Sequence, residues 1–513
     1  MAVMTVSRLP VPVAALAGLL SMAAGLATGH LVGGLISPSA SPFVAVGSSA
    51  IDLTPGWLKD FAVRAFGSSD KVVLLSGMAV VIGLIGLAAG LGSRRSRTPG
   101  LVLIAVLGVL AGAAVLSRPT AGLPDLLAPL AGLLVSAGTF VALHRLGQLS
   151  ELPVADPAGV PRRRLLAGSV AVAAGAGIAA AGGQLLAGRS GVELSRQAVG
   201  PIVPAVPAPP IPAGADFALD GSPSFITPNR DFYRVDVNFT LPRLRAEDWR
   251  LRIHGMVDRE ITLTYSDLTS RQLIERSVTM TCVSNEIGGR YLSTANFTGV
   301  LLADILFEAG VQPGADQTFT TSVDGWTCGT PTVSLTDPGR HAMLVIGMNR
   351  EPLPIEHGFP VRMIVPGLYG FVSGTKWIID MELTTFDARQ AYWAQRGWAK
   401  RAPIKTMSRI DSPGAFGRVS PDTPITGVAW AQTRGIAKVE VRLDHGEWLP
   451  AEVSTEVSVD TWRMFRLRGR WAPGAHVAEV RATDKNGYTQ TGDRAAPIPD
   501  GATGWHSVQF TVQ

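Results

Sequence analysis

Thr279-Met280-Thr281-Cys282-Val283-Ser284-Asn285-Glu286-Ile287-Gly288-Gly289 is the stretch whose interpretation settles what this chain is built to hold. It places one of only two cysteines after a β-type run, Arg276-Ser277-Val278-Thr279-Met280-Thr281, and just ahead of a Gly-Gly turn. A strand end fixes the direction of a thiol and a turn leaves space in front of it, so Cys282 has the setting of a single metal ligand or a nucleophile. An isolated cysteine is more often a small buried hydrophobe. The choice between these readings rests on what else the chain carries.

Two downstream segments bear on it: Ile355-Glu356-His357-Gly358-Phe359-Pro360-Val361-Arg362 and Tyr369-Gly370-Phe371-Val372-Ser373-Gly374-Thr375-Lys376-Trp377. Together with the cysteine stretch they resemble the molybdopterin-binding core of the sulfite oxidase family, from about Ala215 to the C-terminus. The resemblance implies a molybdenum–molybdopterin cofactor with Cys282 as the molybdenum ligand. It also implies that His357 and Arg362, matching the family's His-x-x-x-x-Arg, meet the pterin phosphate, an anion that a planar guanidinium suits. Ser373, Thr375 and Lys376 match the hydroxyl-and-lysine segment that completes this grip. The chain carries one extra residue there, which leaves open which of the three touches the cofactor. Asn229, Tyr233 and Arg234, in the run from Ile226 to Arg234, and Thr321, in the run from Phe319 to Trp326, match further pterin contacts. Independently of any family, an arginine inside a Val/Met/Ile strand is costly unless paired, which argues for an anion at Arg362. One departure concerns substrate. Sulfite-oxidising members follow the cysteine with an Asn and two arginines, whereas this chain keeps Asn285 but continues with Glu286 and Ile287. A carboxylate weakens binding of a dianion, so sulfite, a neutral S-oxide and another small oxyanion all stay open.

Of the 513 residues 47% are hydrophobic and only 17% charged, and mean hydropathy is positive, which places part of the chain in lipid. The net charge of +5 is no nucleic-acid signal, because the arginines cluster between apolar stretches. Two cysteines cannot build a disulfide framework, although a single Cys282–Cys328 bridge stays open in an exported domain, and no Cys-x-x-Cys marks zinc, iron–sulfur or attached haem. Five uncharged apolar segments, at about Leu9–Ile36, Val72–Gly92, Pro99–Leu116, Leu126–Leu143 and Leu165–Gly188, each approach the ~20 residues that span a bilayer. A weakly polar loop to Asp70 is expected after the first. Arg8, Arg94, Arg95, Arg97, Arg145 and Arg162 to Arg164 fall on one side of such a set. The opposite loops carry Lys59, Arg64, Lys71 and Arg118, diluted by Asp52, Asp60, Asp70 and Asp125. The positive-inside rule then predicts a multi-pass cell-membrane protein with its N-terminus inside and everything after the fifth helix extracytoplasmic. Pro161-Arg162-Arg163-Arg164-Leu165-Leu166-Ala167-Gly168 reads either as an ordinary basic flank or as an internal twin-arginine export signal. A cofactor assembled in the cytoplasm gives a reason for the second, since its domain would cross already folded.

The expected order is a five-helix membrane anchor over 1–190, a Pro-rich linker over 191–215, an α+β molybdopterin domain over 216–402 and a β-sandwich over 403–513. Six prolines between Val199 and Ala215 read as a semi-rigid extended spacer. Trp249–Gly255 alternates like a half-exposed strand, and Leu301–Gly310 reads as a short amphipathic helix stopped by glycine. Short strands at Ile425–Ala431, Ala437–Leu443, Trp462–Leu467, His476–Ala482 and Ser507–Val512 suggest a seven-strand-like sandwich. The resemblance makes this an immunoglobulin-like dimerisation domain and the protein a homodimer. His30 and His144 fall near opposite ends of the helix set, so a two-histidine haem within it is not expected. The cytochrome b5-like domain of some relatives is missing, so electrons are expected to pass to an external cytochrome, a quinone or a membrane partner. The chain thus reads as an extracytoplasmic oxidoreductase performing two-electron oxygen-atom transfer on sulfite or a related sulfur or nitrogen oxide. The competing reading is a cofactor-free sensory or binding module reusing the fold, which would have no reason to keep Cys282, His357 and Arg362 together.

Overall fold

The computed structural model describes residues 8–55, 58, 70–118, 121–149, 160–188, 191–237 and 241–513. Lys59, Asp60 and Arg64 of the expected loop lie outside the described residues, as do the side chains of Asp70, Lys71 and Arg162. Two compact units divide the chain, one holding Met1–Ser190 and the other Gly191–Val237 and Pro242–Gln513.

The first unit is helical: α1 (Val11–Ile36), α2 (Pro42–Leu53), α3 (Asp70–Gly92), α4 (Thr98–Leu116), α5 (Leu127–Leu149) and α6 (Val160–Gly188). All but α2 lie in or carry segments long and apolar enough to cross a membrane. Small residues let these helices approach closely. A Cβ on Gly18 of α1 would fall 2.0 Å from the Gly86 carbonyl oxygen of α3, and one on Gly25 would fall 2.7 Å from that of Gly132 on α5. Arg94 donates through Nε to the Leu9 carbonyl at 2.8 Å, and the His144 Nε2 lies 2.8 Å from the Ser93 carbonyl. Those bonds gather the start of α1 and the ends of α3 and α5 at one end of the unit. Arg118 instead pairs with Asp52 at 3.0 Å. The loop expected after α1 is in fact interrupted by α2, whose buried face is made of small or polar residues such as Ala45 and Ser48 and so carries no apolar stripe to read.

The second unit begins with α7 (Gly191–Val199), and here the sequence reading needs correction. Residues 200–215 are not a spacer. Ile202 is in the core, the Val206 N–H donates to the Leu273 carbonyl at 3.1 Å, and the Glu275 N–H donates back to Val206 at 2.8 Å. Extended proline geometry is compatible with the edge of a sheet wherever a non-proline residue presents its N–H, as Val206 does.

Among the described residues ten strands follow: β1 (Arg250–Gly255), β2 (Ile261–Thr264), β3 (Ile274–Thr281), β4 (Leu292–Leu301), β5 (Gln317–Ser322), β6 (Thr327–Pro331), β7 (Met343–Met348), β8 (Glu351–Pro352), β9 (Arg362–Ile364) and β10 (Ile378–Thr384). One sheet runs β2-β1-β10-β5-β6, with β1 and β10 parallel. The other runs β3-β4-β7-β8, with β9 on β7. The alternation of β1 is real: Leu251 and Ile253 are fully buried while Arg250 and Arg252 face out. The expected helix spans Leu302–Ala309 and ends at Gly310, whose φ of +69° glycine tolerates.

Two further sheets make the C-terminal region. Met407–Ser412, Ile425–Trp430, Arg463–Leu467 and Glu452–Val453 form one; Gly417–Val419, His506–Val512, Gly474–Asp484, Ile436–Leu443 and Leu449–Pro450 form the other. Ile425, Val439, Phe465, Val480 and Phe510 fill the space between them. Trp430 and Trp462 belong instead to the core around Trp249, Leu251 and Met381, so the two β regions of this unit share apolar interior.

Candidate active site

Cys282 follows the last residue of β3, and its loop is stapled by its own main chain. The Cys282 N–H donates to the Tyr291 carbonyl at 3.0 Å, and the Tyr291 N–H donates to the Asn285 side-chain oxygen at 2.8 Å. Asn285 is therefore a structural tie across the loop neck. The half-buried Cys282 Sγ lies 2.8 Å from the Ser284 hydroxyl. Burial pushes the thiol up, against the pull of Ser284. Unaided it is a protonated thiol; a bound metal would take it as thiolate.

A basic cluster forms where a turn meets β9. Gly358, at φ +111°, lets the chain reverse so that His357, Arg362 and Lys376 converge: a Cβ there would fall 3.0 Å from that of Arg362 and 3.1 Å from that of Lys376. Arg362 is 5% exposed, donates through Nη1 to the His357 carbonyl at 3.1 Å, and leaves Nε without a hydrogen-bond partner. Burial holds its guanidinium down to about 10. Lys376 is held down to about 8 by burial, although Asp236 pulls the other way. Its ammonium also donates to the Val235 and Glu356 carbonyls at 3.2 and 3.1 Å. The Asp236 carboxylate accepts from both Lys376 and Arg234, and those neighbours keep it below the usual range despite burial. Tyr233 links cysteine and cluster, since its phenol feels both the Cys282 thiol and the Arg362 guanidinium. Burial above all pushes it upward, so it stays a donor.

The sequence-derived residues separate accordingly. His357, Arg362 and Lys376 converge at one turn, and Tyr233 lies within electrostatic reach of both Arg362 and Cys282. Asn229 joins through its main chain, its carbonyl lying 3.3 Å from the His357 Nε2, while its side chain is spent on Asn349 at 2.8 Å. Arg234 is exposed and turned to Asp236. Of the three candidates in 373–376 only Lys376 enters the cluster. Thr375 is fully buried against the Thr320 hydroxyl at 2.6 Å, and the Ser373 hydroxyl is directed to the Leu368 and Tyr369 carbonyls. Thr321 lies in the other sheet, on β5 opposite Asp380. Asp236 was not legible, because nothing in its sequence neighbourhood announces a contact with a lysine 140 residues away.

These residues fit a molybdopterin. Among the described residues no three His, Cys, Asp or Glu side chains gather as a metal site, so a metal here would take one soft protein ligand and the rest from its own cofactor. A buried guanidinium with an unused N–H beside two further basic groups suits a phosphate. Gly374 lies against that face, its nearest close approach being the Gly370 carbonyl oxygen, which a Cβ would meet at 3.0 Å.

The cluster also has a pH signature. Burial, then Arg362 and Lys376, hold the His357 imidazole down to about 4. The unfolded chain binds that proton near 6.5, so between about 6.5 and 4 it binds more protons than the folded state, and stability falls as pH falls. For cofactor-free protein this is on the order of 3 kcal/mol. His506, also held down to about 4, adds in the same window. Urea midpoints measured across it should flatten in part in His357→Gln; an unchanged slope would remove the assignment.

Residues 238–393 match the oxidoreductase molybdopterin binding domain family. Human mitochondrial sulfite oxidase is 27% identical over 344 residues, covering 56% of this chain and 62% of that protein. The NADPH nitrate reductase of Emericella nidulans is 33% identical over 192 residues, covering 33% of this chain and 22% of its own length. Among solved structures the sulfane dehydrogenase SoxCD of Paracoccus pantotrophus aligns with a TM-score of 0.46 at 23% identity, over 55% of this chain and 79% of that one. The chain thus spans less than two thirds of the sulfite oxidase it matches. Residues 238–393 therefore form a molybdopterin-binding oxidoreductase domain similar to that of the sulfite oxidases, and this domain implies a molybdenum–molybdopterin cofactor.

Proposed function

We propose that the protein is a membrane-anchored molybdenum oxidoreductase that carries out two-electron oxygen-atom transfer on sulfite or a related small sulfur or nitrogen oxide. The observation that carries this reading is the buried, partly unsatisfied Arg362, which converges with His357 and Lys376 at one turn. When bound, the cofactor supplies the oxygen-transfer and redox chemistry. The chain's part is to hold it: Cys282 takes the metal, His357, Arg362 and Lys376 hold the phosphate, and the Tyr233 hydroxyl offers a proton or hydrogen bond nearby. Oxidation of one substrate with one water releases two electrons and two protons, which an external cytochrome, a quinone or a membrane partner would take. In this reading residues 1–190 are the anchor, 216–402 the catalytic part, and 403–513 an immunoglobulin-like domain through which a homodimer forms. Metal and pterin analysis of the purified full-length protein tests it. Protein free of both would favour a binding module.

The one-ended gathering of Arg94, Arg95 and Arg145, with Arg118 neutralised by Asp52, supports an N-terminus inside and a catalytic unit outside. The Arg162–Arg164 run supports twin-arginine export of that unit. Protease added to intact spheroplasts should then release a fragment starting ahead of Gly191. Residues 202–208 are bonded to the sheet and should resist. Protection until lysis would reverse the orientation.

Substrate choice should lean away from sulfite. Glu286 is exposed, and the Ile287 side chain is turned to the C-terminal region, where a Cβ on Gly504 would meet its Cδ1 at 2.7 Å. Arg230 and Arg290 are exposed, and Arg234 is engaged by Asp236. We expect sulfite oxidation with a high KM, lowered about tenfold by Glu286→Arg, and reduction of a neutral sulfoxide or N-oxide with a viologen donor. Efficient turnover at micromolar sulfite with no oxide reduction would overturn this.

A further inference from the structure

β3 is the edge strand of its sheet, and an open edge is a row of unpaired donors and acceptors. Next to Cys282 that edge is closed by the C-terminal region. The Thr279 N–H donates to the Asp460 carbonyl at 3.0 Å, and the Thr279 carbonyl accepts from the Gln432 Nε2 at 3.0 Å. The same amide reaches the Thr281 hydroxyl at 3.4 Å, one residue before the cysteine. The Trp462 N–H donates to the Thr279 hydroxyl at 2.7 Å. On the far side of the thiol, Arg409 Nη1 donates to the Gly289 carbonyl at 2.7 Å while its Nε is fixed by Asp411 at 2.7 Å. Gly288, at φ +75°, sits on the His506 imidazole so closely that a Cβ would fall 2.2 Å from Nε2. Gln432 is fully buried and Arg409 nearly so.

We propose that Gln432 and Arg409 are positioning residues, which clamp both flanks of the Cys282 loop and thereby set the direction and stiffness of the sulfur offered to the metal. A ligand on a loop end is only as well oriented as the main chain on either side of it, and the groups behind a ligand govern its geometry and basicity. Within residues 282–291 the ties at Tyr291 and Asn285 fix the loop's shape; Gln432 and Arg409 fix where that shape sits. The two clamps are independent, one acting before the cysteine and one after it. The inference rests on Cys282 being the metal ligand for its consequence, though the clamp itself exists without metal.

The test uses full-length protein carrying Cys328→Ser, so that one thiol reports, from cells grown without molybdate. Gln432→Met and Arg409→Met should each speed alkylation of Cys282 by iodoacetamide about fivefold, the factor by which one lost hydrogen bond shifts a local opening. In molybdenum-loaded protein the same variants should lower kcat about tenfold while KM stays within about twofold, with an altered electron paramagnetic resonance signal. Should Arg409→Met fail to fold, Gln432→Met decides alone. Alkylation rate and resonance signal both unchanged in Gln432→Met would overturn the proposal, as would losses that merely follow a lowered Tm. Retention of molybdenum and activity by Cys282→Ser would instead defeat the ligand reading, while alkylation would still measure the clamp.

Discussion

Arg362→Met is expected to yield a chain that cannot retain pterin and yet, without cofactor, is at least as stable as the wild type. The guanidinium is buried, has one main-chain acceptor at the His357 carbonyl, and lies with Lys376 and His357 on a side of the sheet where the Asp236 carboxylate serves Lys376 and Arg234. A buried charge lacking its partner costs several kcal/mol, and replacing such groups by packed apolar side chains is often stabilising by about 1–4 kcal/mol. Methionine keeps most of the volume and removes the charge. With a phosphate in place the sign reverses, because the same substitution strips a buried anion of its forked donor. The measurement is a pair: pterin content of the purified protein, and urea denaturation of cofactor-free protein. Stoichiometric molybdenum with slowed turnover would make Arg362 part of the chemistry. A marked loss of stability without cofactor would make it an ordinary structural tie.

Cys282→Ser should abolish activity and molybdenum retention with little change in Tm. The thiol's hydrogen-bond partner is the Ser284 hydroxyl, which another hydroxyl satisfies, so the stability cost should stay within about 1 kcal/mol. Cys328→Ser is the control. That thiol is fully buried in β6 among threonines, 3.7 Å from the Thr330 hydroxyl, and burial pushes it up to about 11. A serine there keeps the volume and finds hydroxyl neighbours, and activity should largely survive. Comparable loss in both variants would mean that the fold, not ligation, responds to either cysteine.

Local pattern carried most of what could be read without coordinates. The alternation of Leu251 and Ile253, the glycine stop at Gly310 and the turn-bounded C-terminal strands follow from near neighbours, as does the spacing from His357 to Arg362. The misreadings share a cause. Proline content between 201 and 212 describes the chain's stiffness, but whether Val206 pairs with β3 depends on an edge some 70 residues further on. Ser48 and Ala45 on α2 are interior in a helical unit although neither is strongly apolar. Order along the chain leaves open which of Ser373, Thr375 and Lys376 meets the cofactor, and the hydroxyls of the first two are claimed by Leu368, Tyr369 and Thr320. Asp236, Gln432 and Arg409 act across separations of 120 to 153 residues, and no sequence window of secondary-structure size contains both partners.

The free side of β3 is covered along its length by two segments made at very different times. Val206 precedes the strand, whereas Asp460 and Trp462 follow it by about 180 residues. At roughly 5–20 residues per second of synthesis, the nascent strand waits on the order of tens of seconds for that second cover. During that interval the chain beside Cys282 is an unpaired edge on the ribosome, able to recruit a foreign strand and in need of a holding factor. A message that stalls before the Trp462 codon leaves a product whose most chemically committed segment is also its stickiest.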